Sequence, residues 1–373
     1  MRIALAGLAA LAVAMGIGRF AFTPILPMML QDAGLSVAAG GWLASANYLG
    51  YLVGALWAGV ARARAAFAIR AGLAAIALST LAMALDAGFA AWAMLRFVAG
   101  VASAWVLVHT SSWCLERIIP LGRPILAGVL FAGVGTGVAL AGVLCVALMA
   151  AHASSPAAWL LLGIASLAVS FLIWPVFSSP DEAKKGPGSA QRWTWAQARL
   201  VIAYGAYGFG YIIPATFLPV MARDVVSDPA VFGWAWPVFG AAAALSTLGV
   251  ALLSGRYGNR AAWIASHLVM ALGVAAPVFW PGAPGILLAA LCVGGTFVVI
   301  TMVGLQEARV IAGREGNADP SMLMAAMTAA FAAGQIAGPL SVSFLLGAGG
   351  GFAAALLVAC AALVAGALLL HKR

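Results

Sequence analysis

Long apolar runs broken by short polar interruptions repeat along the whole chain. Each is close to the ~20 residues an α-helix needs to cross the roughly 30 Å hydrocarbon layer of a bilayer. The pattern predicts twelve helices, near 5–30, 38–61, 68–86, 89–113, 124–150, 156–177, 197–221, 229–253, 261–280, 282–305, 321–346 and 350–371. Polar and apolar residues do not alternate with the period of two that a membrane β-barrel requires, so the expected class is all-α and polytopic. Met1 to Ala14 has the look of a signal peptide, but its apolar run continues into a segment with a counterpart later in the chain, so it reads as the first helix of the fold.

Composition strengthens this picture. With 65% hydrophobic and 8% charged residues, the chain has too little polar surface to cover itself in water. A net charge of +9 would suggest a nucleic-acid partner in a soluble protein, but the placement of the charges gives another reason for it. Of the nineteen Lys and Arg residues, sixteen fall in the tails and alternate loops: Arg2, Arg62, Arg64, Arg70, Arg117, Arg123, Lys184, Lys185, Arg192, Arg199, Arg256, Arg260, Arg309, Arg314, Lys372 and Arg373. Only Arg223 falls on the opposite side. Positive loops stay in the cytoplasm, so both termini are expected there.

The most polar stretch, Ser178 to Gln191, has linker composition and divides the chain into six helices on either side. The expected organisation is a bundle over 1–177, a cytoplasmic linker over 178–195 and a second bundle over 196–373. The bundles repeat each other. At one constant offset MGIGRFAFTPILPMMLQD, Met15 to Asp32, lies over YGFGYIIPATFLPVMARD, Tyr207 to Asp224. Gly16 then meets Gly208, Gly18 meets Gly210, Pro27 meets Pro219 and Asp32 meets Asp224. Matching breaks in helices one and seven are expected from this register.

Six plus six helices in parallel repeat, with both termini inside, describe the major facilitator fold. The segments GIGRFAFTPILPMM and GWLASANYLGYLVGAL, within Gly16 to Leu56, resemble the opening of the YbfB/YjiJ-like branch of major facilitator transporters. That resemblance implies an inner-membrane secondary carrier working by alternating access, with helices one, four, seven and ten lining a central cavity. It implies little about substrate. The superfamily's loop motif, G-x-x-x-D-R-x-G-R-K/R, is degraded: the second copy reads Ser254-Gly255-Arg256-Tyr257-Gly258-Asn259-Arg260 and the first keeps only Arg62 and Arg64.

Candidate chemistry follows from cost. An ionisable side chain in hydrocarbon costs at least ~2.5–3.5 kcal/mol, so its presence calls for a reason. Arg19 and Arg96 are the two arginines deep inside predicted spans, at comparable depths on oppositely running helices. Two guanidinium forks facing one cavity suit bidentate binding of a carboxylate, phosphate or sulfonate. The bland alternatives are a buried link to backbone carbonyls for Arg19 and snorkelling toward Asp32 or Asp86 for Arg96. Thr23, Asn47, Tyr51, Gln335 and the stripe Tyr204, Tyr207 and Tyr211 are further candidates for substrate contact. Arg19 has Tyr211 as its repeat mate.

Pro24 and Pro27 remove two helix donors beyond Arg19. With Gly16, Gly18 and Pro219 they mark candidate breaks or gating points. His109, Glu116 and Glu307 are candidates for proton coupling, either as symport or absent altogether in a uniporter. Gly128, Gly135 and Gly142, with Gly133 and Gly137, form a small-residue line on helix five suited to close packing and sliding.

Cys114, Cys145, Cys292 and Cys360 have no metal-ligand spacing. No cofactor or metal is expected, and the partners expected are a small-molecule substrate and lipid, with the protein a monomer. The competing readings are an exporter of hydrophobic or drug-like compounds and, more remotely, an intramembrane enzyme. For the latter no nucleophile, zinc or paired-acid pattern is present.

Overall fold

The computed structural model describes residues 1–60, 63–178, 193–223, 229–314, 320–347 and 351–371. The expected linker therefore lies largely outside the described residues, as do Asp224 and the side chain of Pro219. The described residues form twelve long helices: α1 (Arg2–Asp32), α2 (Val37–Val60), α3 (Ala65–Ala82), α4 (Phe89–Ile118), α5 (Ile125–Ala150) and α6 (Ser155–Ile173) in the first half. The second contains α7 (Trp195–Arg223), α8 (Pro229–Tyr257), α9 (Asn259–Phe279), α10 (Ala283–Arg314), α11 (Pro320–Gly347) and α12 (Gly351–His371). No strand occurs among the described residues. Among the described residues, eleven of these helices contain a window long and apolar enough to cross a membrane. Large apolar side chains such as Phe171, Leu172 and Phe344 are more than 70% exposed, which only a lipid environment tolerates at this scale.

Hydropathy located the helices better than it located their ends. Expected to stop near 113 and 305, α4 and α10 continue to Ile118 and Arg314. Glu116, Arg117, Glu307 and Arg309 end the apolar run, but a helix can continue beyond the hydrocarbon with these side chains on its last turns. The hydropathy break is therefore not the end of the backbone hydrogen-bond ladder.

Glycine sets how closely the helices approach. On α5, Gly133 and Gly137 lie against the backbones of Leu8 and Ala12 in α1, and Gly16 returns the contact on Gly137. The heptad-spaced Gly128, Gly135 and Gly142 face the other half, against Ala251, Gly240 with Ala244, and Pro237 of α8. A Cβ at Gly135 or Gly240 would overlap the facing backbone. The seam between halves is therefore α5 on α8, with α2 on α11 as its counterpart.

The expected matching breaks are not both present. From Ala12 to Phe20, α1 is wound as a π-helix, whereas α7 is α-helical throughout. The two segments differ in sequence just beyond it: Pro24, five residues after Arg19, has no N–H to give the Arg19 carbonyl in an i→i+5 register, and its repeat mate is Thr216.

Candidate functional site

The π-helical segment of α1 carries Arg19 into the middle of the protein, where the side chain is 3% exposed. Nη2 donates to Oε1 of Gln335 on α11, so this bond joins the two halves. Rings surround the guanidinium: its Cζ lies 3.8 Å from the Tyr51 centroid, 5.5 Å from Phe20, 5.6 Å from Tyr48 and 5.7 Å from Phe331. A desolvated cation–π contact is worth ~2 kcal/mol or more, so several together offset the cost of holding the charge in hydrocarbon. They leave its hydrogen-bonding capacity unspent. Nε and Nη1 are buried and have no hydrogen-bond partner. Among the described residues the one ion pair is Arg117 with Glu116, so no carboxylate neutralises Arg19.

Arg96 reaches the same region but is used differently. Its Nη1 donates to the Gly18 carbonyl at 3.2 Å and its Nη2 to the Arg19 carbonyl at 3.1 Å. The Arg19 carbonyl is the one whose π-register partner would be Pro24, so the guanidinium supplies the missing donor. Asn47 assists, with Nδ2 donating to the carbonyls of Gly18 at 3.3 Å and Arg96 at 2.9 Å. Ser103 on α4 donates to the Ala14 carbonyl at 2.8 Å. Arg96 also lies over the Phe22 ring, at 4.8 Å. It does not snorkel toward Asp32, whose carboxylate instead caps α6 by accepting from the Ser155 amide and from Ser155 Oγ at 2.7 Å.

The tyrosine stripe of α7 closes the other side. Tyr204 and Tyr207 lie 5.4 Å apart and Tyr207 and Tyr211 6.0 Å apart. The Tyr207 hydroxyl donates to the Phe297 carbonyl at 2.6 Å and lies 3.4 Å from Thr301 Oγ1. Phe297 and Phe331 stack on Tyr211, with interplanar angles of 19° and 27°. From the first half, Phe20 meets Phe297 and Trp236 edge-on. These rings leave a central cavity of about 20 Å³ bordered by Tyr51, Tyr204, Tyr207, Phe297, Thr301 and Phe331, room for about one water. The centre is closed.

The structure thus brings Arg19, Tyr51, Gln335 and the three α7 tyrosines together, with Asn47 and Arg96 bracing the backbone behind Arg19. Thr23 is exposed and stands apart. His109 is buried against Trp105, ring centroids 6.0 Å apart. Glu116 is exposed beside Arg117, and Glu307 is largely buried near the end of α10. Gly18 packs against Ser103 Oγ and Ile76. Phe20, Phe297, Thr301 and Phe331 border the cavity without being expected from the sequence. Phe331 sits one helical turn before Gln335, so its i, i+4 relation to a polar candidate was the available signal; Phe297 and Thr301 had none.

Two six-helix halves meeting along glycine seams around a closed, cation-bearing centre define a membrane transporter of the major facilitator superfamily. The chain belongs to the family described as uncharacterised MFS-type transporter YbfB, whose sequence pattern matches residues 11–371. Among solved structures, the human organic anion transporter MFSD10 (TETRAN) has a similar fold, with a TM-score of 0.76 at 16% identity over 99% of both chains. The fucose:proton symporter FucP of E. coli gives a TM-score of 0.73 at 14% identity, covering 98% of this chain and 97% of that one. FucP in the outward conformation gives 0.76 at 15% identity with the same coverage. No curated protein matches the chain in sequence.

Proposed function

We propose that the protein is a secondary active or facilitated carrier that moves a small organic anion across the inner membrane by alternating access, with both termini in the cytoplasm. One observation carries the reading: Arg19 is buried at the junction of the halves with two open N–H donors and no carboxylate partner among the described residues. An arriving carboxylate supplies both the missing charge and the missing acceptors. It competes with Gln335 Oε1 for the guanidinium, so binding loosens a bond between the halves and couples occupancy to their movement. Arg96 and Asn47 act as positioning residues that hold the π-helical turn, and the segments 1–177 and 196–373 move relative to each other about the linker. The printed function of MFSD10, an organic anion transporter of the same fold, is consistent with this assignment. The basic residues, sixteen on one side and Arg223 on the other, support the orientation.

The competing reading, export of hydrophobic compounds, draws on the aromatic lining. Uptake into proteoliposomes by wild type and Arg19→Ala, with a panel of anionic and neutral competitors, separates the two. Competition by anions and loss of transport in Arg19→Ala support the proposal. Full transport by Arg19→Ala without anion competition transfers it to the exporter reading. The same vesicles with and without a pH gradient reveal proton coupling, and substitutions at His109, Glu116 and Glu307 then show whether the chain or the anion carries the proton.

A further inference from the structure

We infer that the groove between α2, α3 and α4 is a binding site for an anionic phospholipid, with an acyl chain in the groove and the phosphate beside Arg64. The groove has a volume of about 390 Å³ and shares no lining residue with the central cavity. Small residues leave the space, Ala71 and Ala75 on α3 and Ala102 on α4, while Val53, Trp57, Phe97 and Trp105 border it. Trp57 meets Trp105 with ring centroids 4.5 Å apart. Val53 and Trp57 are 39% and 51% exposed, so the groove opens outward, and for spanning helices the surroundings are lipid.

The lining excludes a polar occupant. Its side chains carry no polar atom except two indole N–H groups, of which that of Trp105 is buried. A hydroxylated or charged solute would lose its hydration here and regain at most two hydrogen bonds. A hydrocarbon chain loses nothing.

Length and charge choose among apolar occupants. Arg64, Ala71 and Ala75 are spaced i, i+7, i+11 and so follow one face of α3. From Arg64 to Ala75 the rise is about 16 Å, close to half of the roughly 30 Å hydrocarbon layer. The stripe therefore spans one leaflet, the cytoplasmic one in the orientation proposed above. A lipid whose chain covers Ala71 and Ala75 brings its phosphate to Arg64, which is exposed at the start of α3. That arginine is in no ion pair, and no acidic residue stands in the first turn of α3. Arg62 adds a second positive charge in the same loop. Uncancelled basic residues at a membrane surface favour an anionic headgroup over a zwitterionic one.

The groove also borders a seam that the transport site uses. Gly50 and Gly54 of α2 lie on the backbones of Phe97 and Val101 in α4. The same two helices hold Asn47 on the Arg96 carbonyl and Tyr51 under the Arg19 guanidinium. A chain seated in the groove packs the lipid side of this seam.

Native mass spectrometry of the purified full-length protein, titrated with dioleoyl phosphatidylglycerol or dioleoyl phosphatidylcholine, tests the inference. The first phosphatidylglycerol is expected to bind about fivefold or more tightly than phosphatidylcholine, the scale of one basic residue at a membrane surface. Arg64→Gln should bring phosphatidylglycerol to the phosphatidylcholine level and leave the latter unchanged. Ala71→Leu with Ala75→Leu fills the groove and should weaken the first phosphatidylglycerol by a similar factor; Val53→Phe fills it from α2 if the double variant does not fold. Equal binding of the two lipids to wild type overturns the inference, as does a preference that survives Arg64→Gln. Phosphatidylglycerol binding that is untouched by the filled groove also overturns it and places the lipid elsewhere. None of these outcomes involves Arg19, so the anion reading stands or falls separately.

Discussion

Replacing Arg96 by leucine separates a structural arginine from a substrate-binding one. Two charge-assisted hydrogen bonds hold the carbonyls of Gly18 and Arg19, and such bonds contribute ~1.5–3 kcal/mol each. Gly18 keeps the bond from Asn47; the Arg19 carbonyl loses the donor that stands in for Pro24. Removing the charge returns little, because in an inserted but unpacked helix Arg96 lies only roughly 10 Å from the helix end and can snorkel to water. The net loss is therefore about 3 kcal/mol, roughly a hundredfold in the folding equilibrium. Thermal unfolding of the detergent-purified variant, monitored by size-exclusion chromatography, should show a midpoint lowered by several degrees, with anion affinity retained in the fraction that stays folded. An unchanged midpoint combined with lost anion affinity would refute the reasoning and place the Arg96 guanidinium on the substrate.

Three further variants examine other parts of the account. Gly135→Val puts a side chain into the α5–α8 seam where a Cβ would overlap backbone; overpacking costs ~1–3 kcal/mol, and uptake should fall at least tenfold in proteoliposomes matched for protein content. Asp32→Ala removes the cap on α6 at Ser155 and should lower stability by about 1–2 kcal/mol in a denaturant titration while leaving anion affinity intact. Gln335→Ala breaks the bond between halves at Arg19. Thiol labelling of a cysteine placed at Thr301 should then become faster, because the closed state loses one of its ties.

What could be read from the chain, and what could not, follows from the range of the interactions. The helices are written in runs of local hydropathy, and the two halves in the shared register of Gly16 with Gly208 and Pro27 with Pro219. The glycine line of α5 was visible because its period is that of a helix face. Which neighbour each face meets was not, since Gly133 and Gly135 lie two residues apart and serve different helices. Arg19 stood out as a charge in an apolar run, but Gln335 is 316 residues away, and their pairing depends on how the halves dock. The π-helical winding was foreshadowed only by Pro24 and Pro27. The use of both Arg96 terminal nitrogens on backbone depends on that winding, and so does the contrast with Arg19, which keeps Nε and Nη1 open while Arg96 keeps only Nε. Phenylalanines are ordinary in membrane helices, and only their convergence makes Phe297 and Phe331 notable.

The most direct test of the central claim is the affinity of purified Arg19→Met for benzoate as the carboxylate probe, measured by titration calorimetry beside wild type. Methionine keeps an unbranched side chain in the aromatic surround and removes the charge and both open donors. With at least two charge-assisted hydrogen bonds at ~1.5 kcal/mol or more each, the account predicts a loss of about a hundredfold or greater. An affinity within threefold of wild type would contradict it.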